Sequence, residues 1–231
     1  YASNQPIWAI DIDGLERIIA TLVGTDVQYR GDHMKLINPN VEVQRNKNSG
    51  KEILKSLKGD EAIGIWIVFS HGSRSSIFKK EGWGTGLAIN TEMDDPTGER
   101  SLEDLKLLLE NKEVKFEKNA IIFLGACNCA SEDEGFAQKL AETTGATVIA
   151  ATDLFEPGEE TDGLERTYTT YGEFIKITPN EIGGGTTTES LGSTINIGNL
   201  IDETITSVKK AVNEEIQRQI DAQKGIPCLR I

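Results

Sequence analysis

The chain has 231 residues, 38% of them hydrophobic and 26% charged, which suits one large domain with a packed core and argues against wholesale disorder. Its 24 Lys and Arg against 37 Asp and Glu leave a formal charge of −13, a balance that repels nucleic acid and anionic membranes and favours basic partners. No run of eighteen apolar residues exists, so no helical membrane span is expected, and three cysteines without regular spacing make neither a disulfide framework nor a zinc ribbon.

The start, Tyr1-Ala2-Ser3-Asn4, carries neither Met nor a secretory apolar core, so a soluble protein is expected, with export after removal of an N-terminal segment left open. Apolar stretches at Ile7–Ile12 and Val41–Val43 predict early strands. Between them Leu15, Ile18, Ile19 and Leu22 stand at the spacing of a short helix. Ile53, Leu54 and Leu57 predict a helix with Lys51, Glu52 and Lys55 on its wet side. Ile63–Phe69 and Ala120–Leu124 are apolar at both parities, the pattern of strands buried on both faces. A Gly-rich hairpin is expected around Trp83–Asn90. Ser101 with an acid three residues later reads as a capping box for a helix striped by Leu102, Leu105, Leu108 and Leu109.

Ser131-Glu132-Asp133-Glu134 repeats that pattern before a helix with Phe136, Ala137, Leu140 and Ala141 inward and Gly145 as its stop. Thr147–Ala151 predicts a strand, Asp153–Glu165 a polar loop, and Thr167–Ile177 one or two further strands. Gly183–Gly198, rich in Gly, Thr and Ser, reads as a long flexible loop. Asn199–Gln223 carries Ile201, Ile205, Val208, Val212, Ile216 and Ile220 on one face of a long helix, expected as a lid on the sheet rather than a dimer contact. Strands alternating with helices predict an α/β fold: a three-layer sandwich with a mostly parallel sheet and helices on both faces.

Both buried strands end alike, the first in Ser70-His71-Gly72-Ser73 and the second in Gly125-Ala126-Cys127-Asn128. Ligands of open parallel sheets bind beyond the carboxyl ends of the strands, and neighbouring strands lie about 4.8 Å apart. If the two strands are neighbours, His71 and Cys127 emerge side by side. A thiolate attacks carbonyls where a thiol does so poorly, and an imidazole can take the thiol proton and return one to a leaving amine. The start of the following helix would favour the thiolate further. Gly72 lets backbone approach a substrate, and its N–H could meet a developing oxyanion with that of Cys127. The plainer alternatives are a packing cysteine and a satisfied histidine. Against them stands the pairing of both patterns in one chain that has only His33 and His71.

A hydrophobic strand running into His71-Gly72, then a hydrophobic strand running into Ala126-Cys127, resembles the caspase-fold (clan CD) cysteine peptidases: caspases, metacaspases, legumains, gingipains, separases and clostripain-like enzymes. The spacing of 56 residues suits that group, and the order of elements follows it from Ile7 to Ile177. The resemblance implies a caspase-like catalytic domain over residues 1–182, with 183–231 packing on it as loop and helix. It implies a Cys–His dyad and an oxyanion hole from the amides of Gly72 and Cys127. It also implies a protein or peptide substrate cut after one preferred P1 side chain.

For a basic P1 residue, acids would line the pocket, with Asp153 the leading candidate and Glu156 the second. For an acidic one, Arg74 would serve. Several relatives carry Asp two residues before the nucleophile, where this chain has Gly125. Cys129 is the alternative nucleophile, disfavoured because the family places the reactive residue directly after Ala. Neither a metal nor another cofactor is called for. Calcium, which activates some relatives, is raised only by the acidic run Glu92-Met93-Asp94-Asp95.

Two rival readings accompany this one. Asp11-Ile12-Asp13-Gly14 after an apolar strand is similar to the nucleophile loop of HAD-type phosphatases, where paired carboxylates would hold Mg²⁺. A caspase-like domain that has lost activity could instead persist as a binding or regulatory module. A zymogen would be cleaved in Gly183–Gly198 or Ser73–Glu81. The sequence leaves oligomeric state and compartment open.

Overall fold

The described residues of the computed structural model are 17–23, 27–47, 50–70, 99–130, 136–158, 166–180 and 184–224. They are best understood from the two apolar runs outward. Every residue of the strand Ile63–Phe69 is buried, as is the end of Phe116–Gly125, and the two strands lie side by side and parallel. Numbering in chain order, these are β3 and β4 of a seven-stranded sheet. Its other strands are β1 (Arg17–Val23), β2 (Glu42–Lys47), β5 (Thr147–Ala151), β8 (Phe174–Pro179) and β9 (Thr186–Ser190), in the order β2-β1-β3-β4-β5-β8-β9. The first five are parallel and β8 and β9 antiparallel. The fold is therefore α/β with a mostly parallel sheet, and the crossover of strand order falls between β1 and β3.

Alternate residues of β3 enter different cores, as the two-residue period of a strand requires. Trp66 and Val68 join one cluster with α2 (Gly50–Leu57), α3 (Glu99–Glu110) and α4 (Phe136–Thr144), through Ile53, Leu57, Leu105, Phe136 and Leu140. Ile65, Ile67 and Phe69 join another with Met34 of α1 (Arg30–Ile37) and Ile197 and Ile201 of α5 (Ile197–Lys224). A second, antiparallel sheet of β10 (Thr194–Asn196), β7 (Thr167–Thr170) and β6 (Phe155–Pro157) lies beyond β5 in the chain.

Several expectations change. Ile18, Ile19 and Leu22 lie in β1, not in a helix. The run from Ile18 to Val23 is buried throughout and hydrogen-bonded to strands on both sides, so its helical spacing is a coincidence within a continuous apolar stretch. Ser101 does not cap α3, which is already under way at Glu99. The loop expected over Asp153–Glu165 contains β6, and the segment read as a flexible loop at Gly183–Gly198 contains β9 and β10. Thr186, Thr187 and Thr188 are β-branched and pair with β8. Gly184 and Gly185, at φ +73° and +81°, supply the left-handed backbone of the connecting turn. Helix α1 carries little apolar signal because only Arg30, Gly31 and Met34 of it are buried. The helices around Ile53 and Phe136, and the strand Thr147–Ala151, follow the sequence reading closely, and Gly145 (φ +71°) ends α4 with its N–H on Ala141 O at 2.9 Å.

Residues 7–12, the Asp11–Gly14 loop, the Trp83–Asn90 hairpin, the acidic run at 92–95, Ser131–Glu134 and the Ser73–Glu81 cleavage candidate lie outside the described residues. Among the described residues, no helix is long and apolar enough to cross a membrane.

One polar chain runs through this sheet. The Trp66 indole N–H donates to the Thr21 hydroxyl at 3.0 Å, which donates to Gln44 Oε1 at 3.3 Å, and Gln44 Nε2 donates to the Ser56 carbonyl at 2.6 Å. Trp66 and Thr21 are fully buried. Trp66→Phe, which keeps a ring and removes the donor, is expected to lower the unfolding free energy by about 1–3 kcal/mol in urea titrations, through the lost hydrogen bond to the buried Thr21 hydroxyl and a small void.

Candidate functional site

The strand tips define the place. Phe69 of β3 pairs with Gly125 of β4, and the N–H of Ser70 donates to the Gly125 carbonyl at 3.2 Å. Residue 71 thus follows Phe69 by as many positions as residue 127 follows Gly125. His71, Gly72 and Arg74 lie outside the described residues.

Gly125 is required by its neighbours. A Cβ there would stand 2.6 Å from Phe69 Cδ1 and 3.2 Å from Phe155 Cζ, both atoms of packed rings. No side chain fits at this position without displacing one of those rings.

After β4 the chain turns through residues 127–130 and is held by β5 and its extension. Asn128, 3% exposed, adopts φ +59° and donates its N–H to the Asp153 carbonyl at 3.0 Å, and Ala130 donates to the Ala151 carbonyl at 3.0 Å. Asn tolerates this left-handed conformation better than most residues. Cys127 is half-buried, and Phe155 grips its sulfur with backbone: the Phe155 N–H donates to Sγ at 3.3 Å, and the thiol reaches the Phe155 carbonyl at 3.9 Å.

Cys129 has a different setting. It is 3% exposed and packs in the core cluster with Phe136 and Ala137, and its carbonyl accepts the N–H of Ala137 in the first turn of α4. Burial, with the neighbouring Cys127 second, pushes its thiol from 9.0 up to about 12. Cys129 is therefore a packing residue held as a neutral thiol.

The turn thus brings Cys127, Asp153 and Phe155 together. The Asp153 carboxylate accepts the N–H of its own neighbour, Leu154, at 2.8 Å. Glu156, on β6, is exposed. Beneath them lies an aromatic group that sequence reasoning missed. The Phe155 ring stacks on Tyr168 at 5.1 Å and meets Phe123 and Phe174, and the Arg30 guanidinium stands 5.2–5.6 Å from the ring centres of Tyr29, Phe69, Phe155 and Tyr168. Arg30 is 7% exposed. Such contacts join residues from α1, β3, β6 and β7, and no local pattern announces them. Among the described residues, no group of three or more His, Cys, Asp or Glu side chains is arranged to hold a metal ion.

Two measurements check this geometry. Asn128→Gly is expected to keep full stability, whereas Asn128→Val, β-branched at positive φ, loses about 1–3 kcal/mol. For Cys129, the unfolded chain releases the thiol proton near 9.0 and the folded chain only near 12. The unfolded state therefore binds fewer protons in that window, so the contribution is complete below 9.0 and is lost as pH rises towards 12. The stability difference between wild type and Cys129→Ala should be constant below pH 9 and shrink above it.

A family model described as a domain of unknown function (DUF8616) matches residues 40–162, from the start of β2 to beyond β6. No curated protein matches the chain.

Proposed function

The chain belongs to the DUF8616 family, and we propose that it is a cysteine peptidase built as a caspase-like three-layer sandwich, with Cys127 as nucleophile and His71 as base. The observation that carries this reading is the register of β3 and β4: their tips are paired through Phe69 and Gly125 and again through Ser70 N–H to Gly125 O. The reading sets His71 and Cys127 at equivalent positions on neighbouring strands, within reach of one substrate carbonyl. The buried, high-pKa setting of Cys129 supports Cys127 as the reactive thiol.

In this mechanism the His71 imidazole takes the Cys127 proton, and the thiolate adds to the scissile carbonyl carbon. The carbonyl oxygen becomes an oxyanion held by the amides of Gly72 and Cys127. Collapse breaks the C–N bond, the imidazolium gives its proton to the leaving amine, and a thioester remains. Water, deprotonated by His71, then releases the acid and the thiol. The Phe155 N–H fixes the sulfur before attack, and the turn at Asn128 fixes the backbone that carries it. Asp153 and Glu156, which follow β5, are the acids proposed to line a P1 pocket, with Arg74 the candidate for an acidic P1 residue.

Fluorogenic peptide pools varied at P1 provide the test. Wild type should cleave, Cys127→Ala should not, and His71→Ala should lose about 10²–10⁴-fold in kcat/KM. Cleavage that persists in Cys127→Ala would refute the assignment.

A further inference from the structure

The small sheet presents its other side to solvent beside this turn. In β6, Phe155 faces the aromatic group, and Glu156, its neighbour in a strand of period two, is exposed. Glu156 pairs in register with Thr169 of β7, and Glu156, Thr169, Thr170 and Tyr171 line one open pocket. Tyr171 is 71% exposed, the most exposed of the large hydrophobic side chains among the described residues, and its N–H donates to the Leu154 carbonyl at 3.2 Å. No cation among the described residues pairs with the Glu156 carboxylate.

These groups have one chemistry in common. A carboxylate beside an exposed phenol ring attracts a cation through charge and through the ring face. The hydroxyl of Thr169, in register with Glu156, can accept a hydrogen bond, whereas Thr170 is buried and its hydroxyl takes the Gly172 N–H at 3.3 Å. An apolar group would strip water from the carboxylate without replacing it, and an acidic one would be repelled. A guanidinium suits the set better than an ammonium, because it can fork onto the carboxylate and stack on the ring together. The net charge of −13 draws basic peptides to the surface as a whole. The pocket is one residue along β6 from the amide that holds the Cys127 sulfur.

We infer that the pocket of Glu156, Thr169, Thr170 and Tyr171 receives a basic side chain, arginine before lysine, of a peptide whose scissile carbonyl lies at Cys127. The position of that bond rests on the peptidase reading; the chemistry of the pocket does not.

The test uses a short acetylated, amidated peptide in which one arginine is moved through successive positions and replaced at each by citrulline, its neutral near-isostere. Binding is measured by calorimetry on full-length Cys127→Ala protein, and cleavage on wild type. At one position arginine should bind about tenfold tighter than citrulline. Glu156→Gln should abolish that preference and Tyr171→Ala should weaken it, with circular dichroism unchanged because both side chains are exposed. Equal binding of arginine and citrulline at every position, or a preference that survives Glu156→Gln, overturns the inference. Arginine-selective binding without cleavage by wild type supports the pocket and removes the peptidase reading. Cleavage with no preference for arginine does the reverse.

Discussion

The parallel ladder between β3 and β4 is the constraint on which the other features rest, because it carries two chain segments to the same edge of the sheet at the same height. Its strands are buried on both faces, so simple apolar–polar alternation does not set their register. The fit of particular side chains does: Gly125 lies against the Phe69 ring, with Phe155 on the same spot, and any residue with a Cβ would collide there. A one-residue slip would push a bulky strand residue into that contact. The steric demand that fixes the register therefore also fixes where Cys127 leaves the sheet.

Beyond the ladder, the turn at 127–130 is tied by backbone rather than by side chains. Asn128 and Ala130 bond to carbonyls at and beyond the end of β5, and the Cys127 sulfur bonds to the amide of β6. Backbone contacts hold the Cys127 sulfur with little rotamer freedom to lose, as its proposed role as nucleophile requires. Below them the buried Arg30 guanidinium of α1 lies against the rings of Tyr29, which precedes that helix, and of Phe69, Phe155 and Tyr168 from β3, β6 and β7. A cation enclosed in this way gains more from ring faces than one at the surface. It locks the elements around the turn into one arrangement.

The two neighbouring cysteines show how one turn separates roles. Cys127 remains half-exposed beside the strand tips, while Cys129, two residues on, is driven into the core and kept neutral by desolvation. Solvent access and charge, rather than residue type, distinguish a candidate nucleophile from a packing group. The two acids after β5 separate in a similar way: Asp153 turns back on its own chain at the Leu154 amide, whereas Glu156 opens onto a pocket with Tyr171.

The sequence alone determined the elements whose burial is continuous or strongly periodic. Ile63–Phe69 and Ala120–Leu124 are legible as buried strands because every residue is apolar. The stripe of Phe136, Ala137, Leu140 and Ala141, with Gly145 behind it, is legible as a capped helix because local pattern and local backbone agree. From those strands followed the α/β class and the two residues proposed for chemistry. Tertiary structure decided what local pattern could not: that Ile18–Val23 is a strand, since only pairing on both sides overrides its helical spacing, and that the threonines after Gly185 add a strand to the sheet rather than form a loop. It also decided the contacts of Phe155, Arg30 and Tyr171. Each of them meets partners distant in the chain, brought together by strand order and register, which no short-range preference encodes.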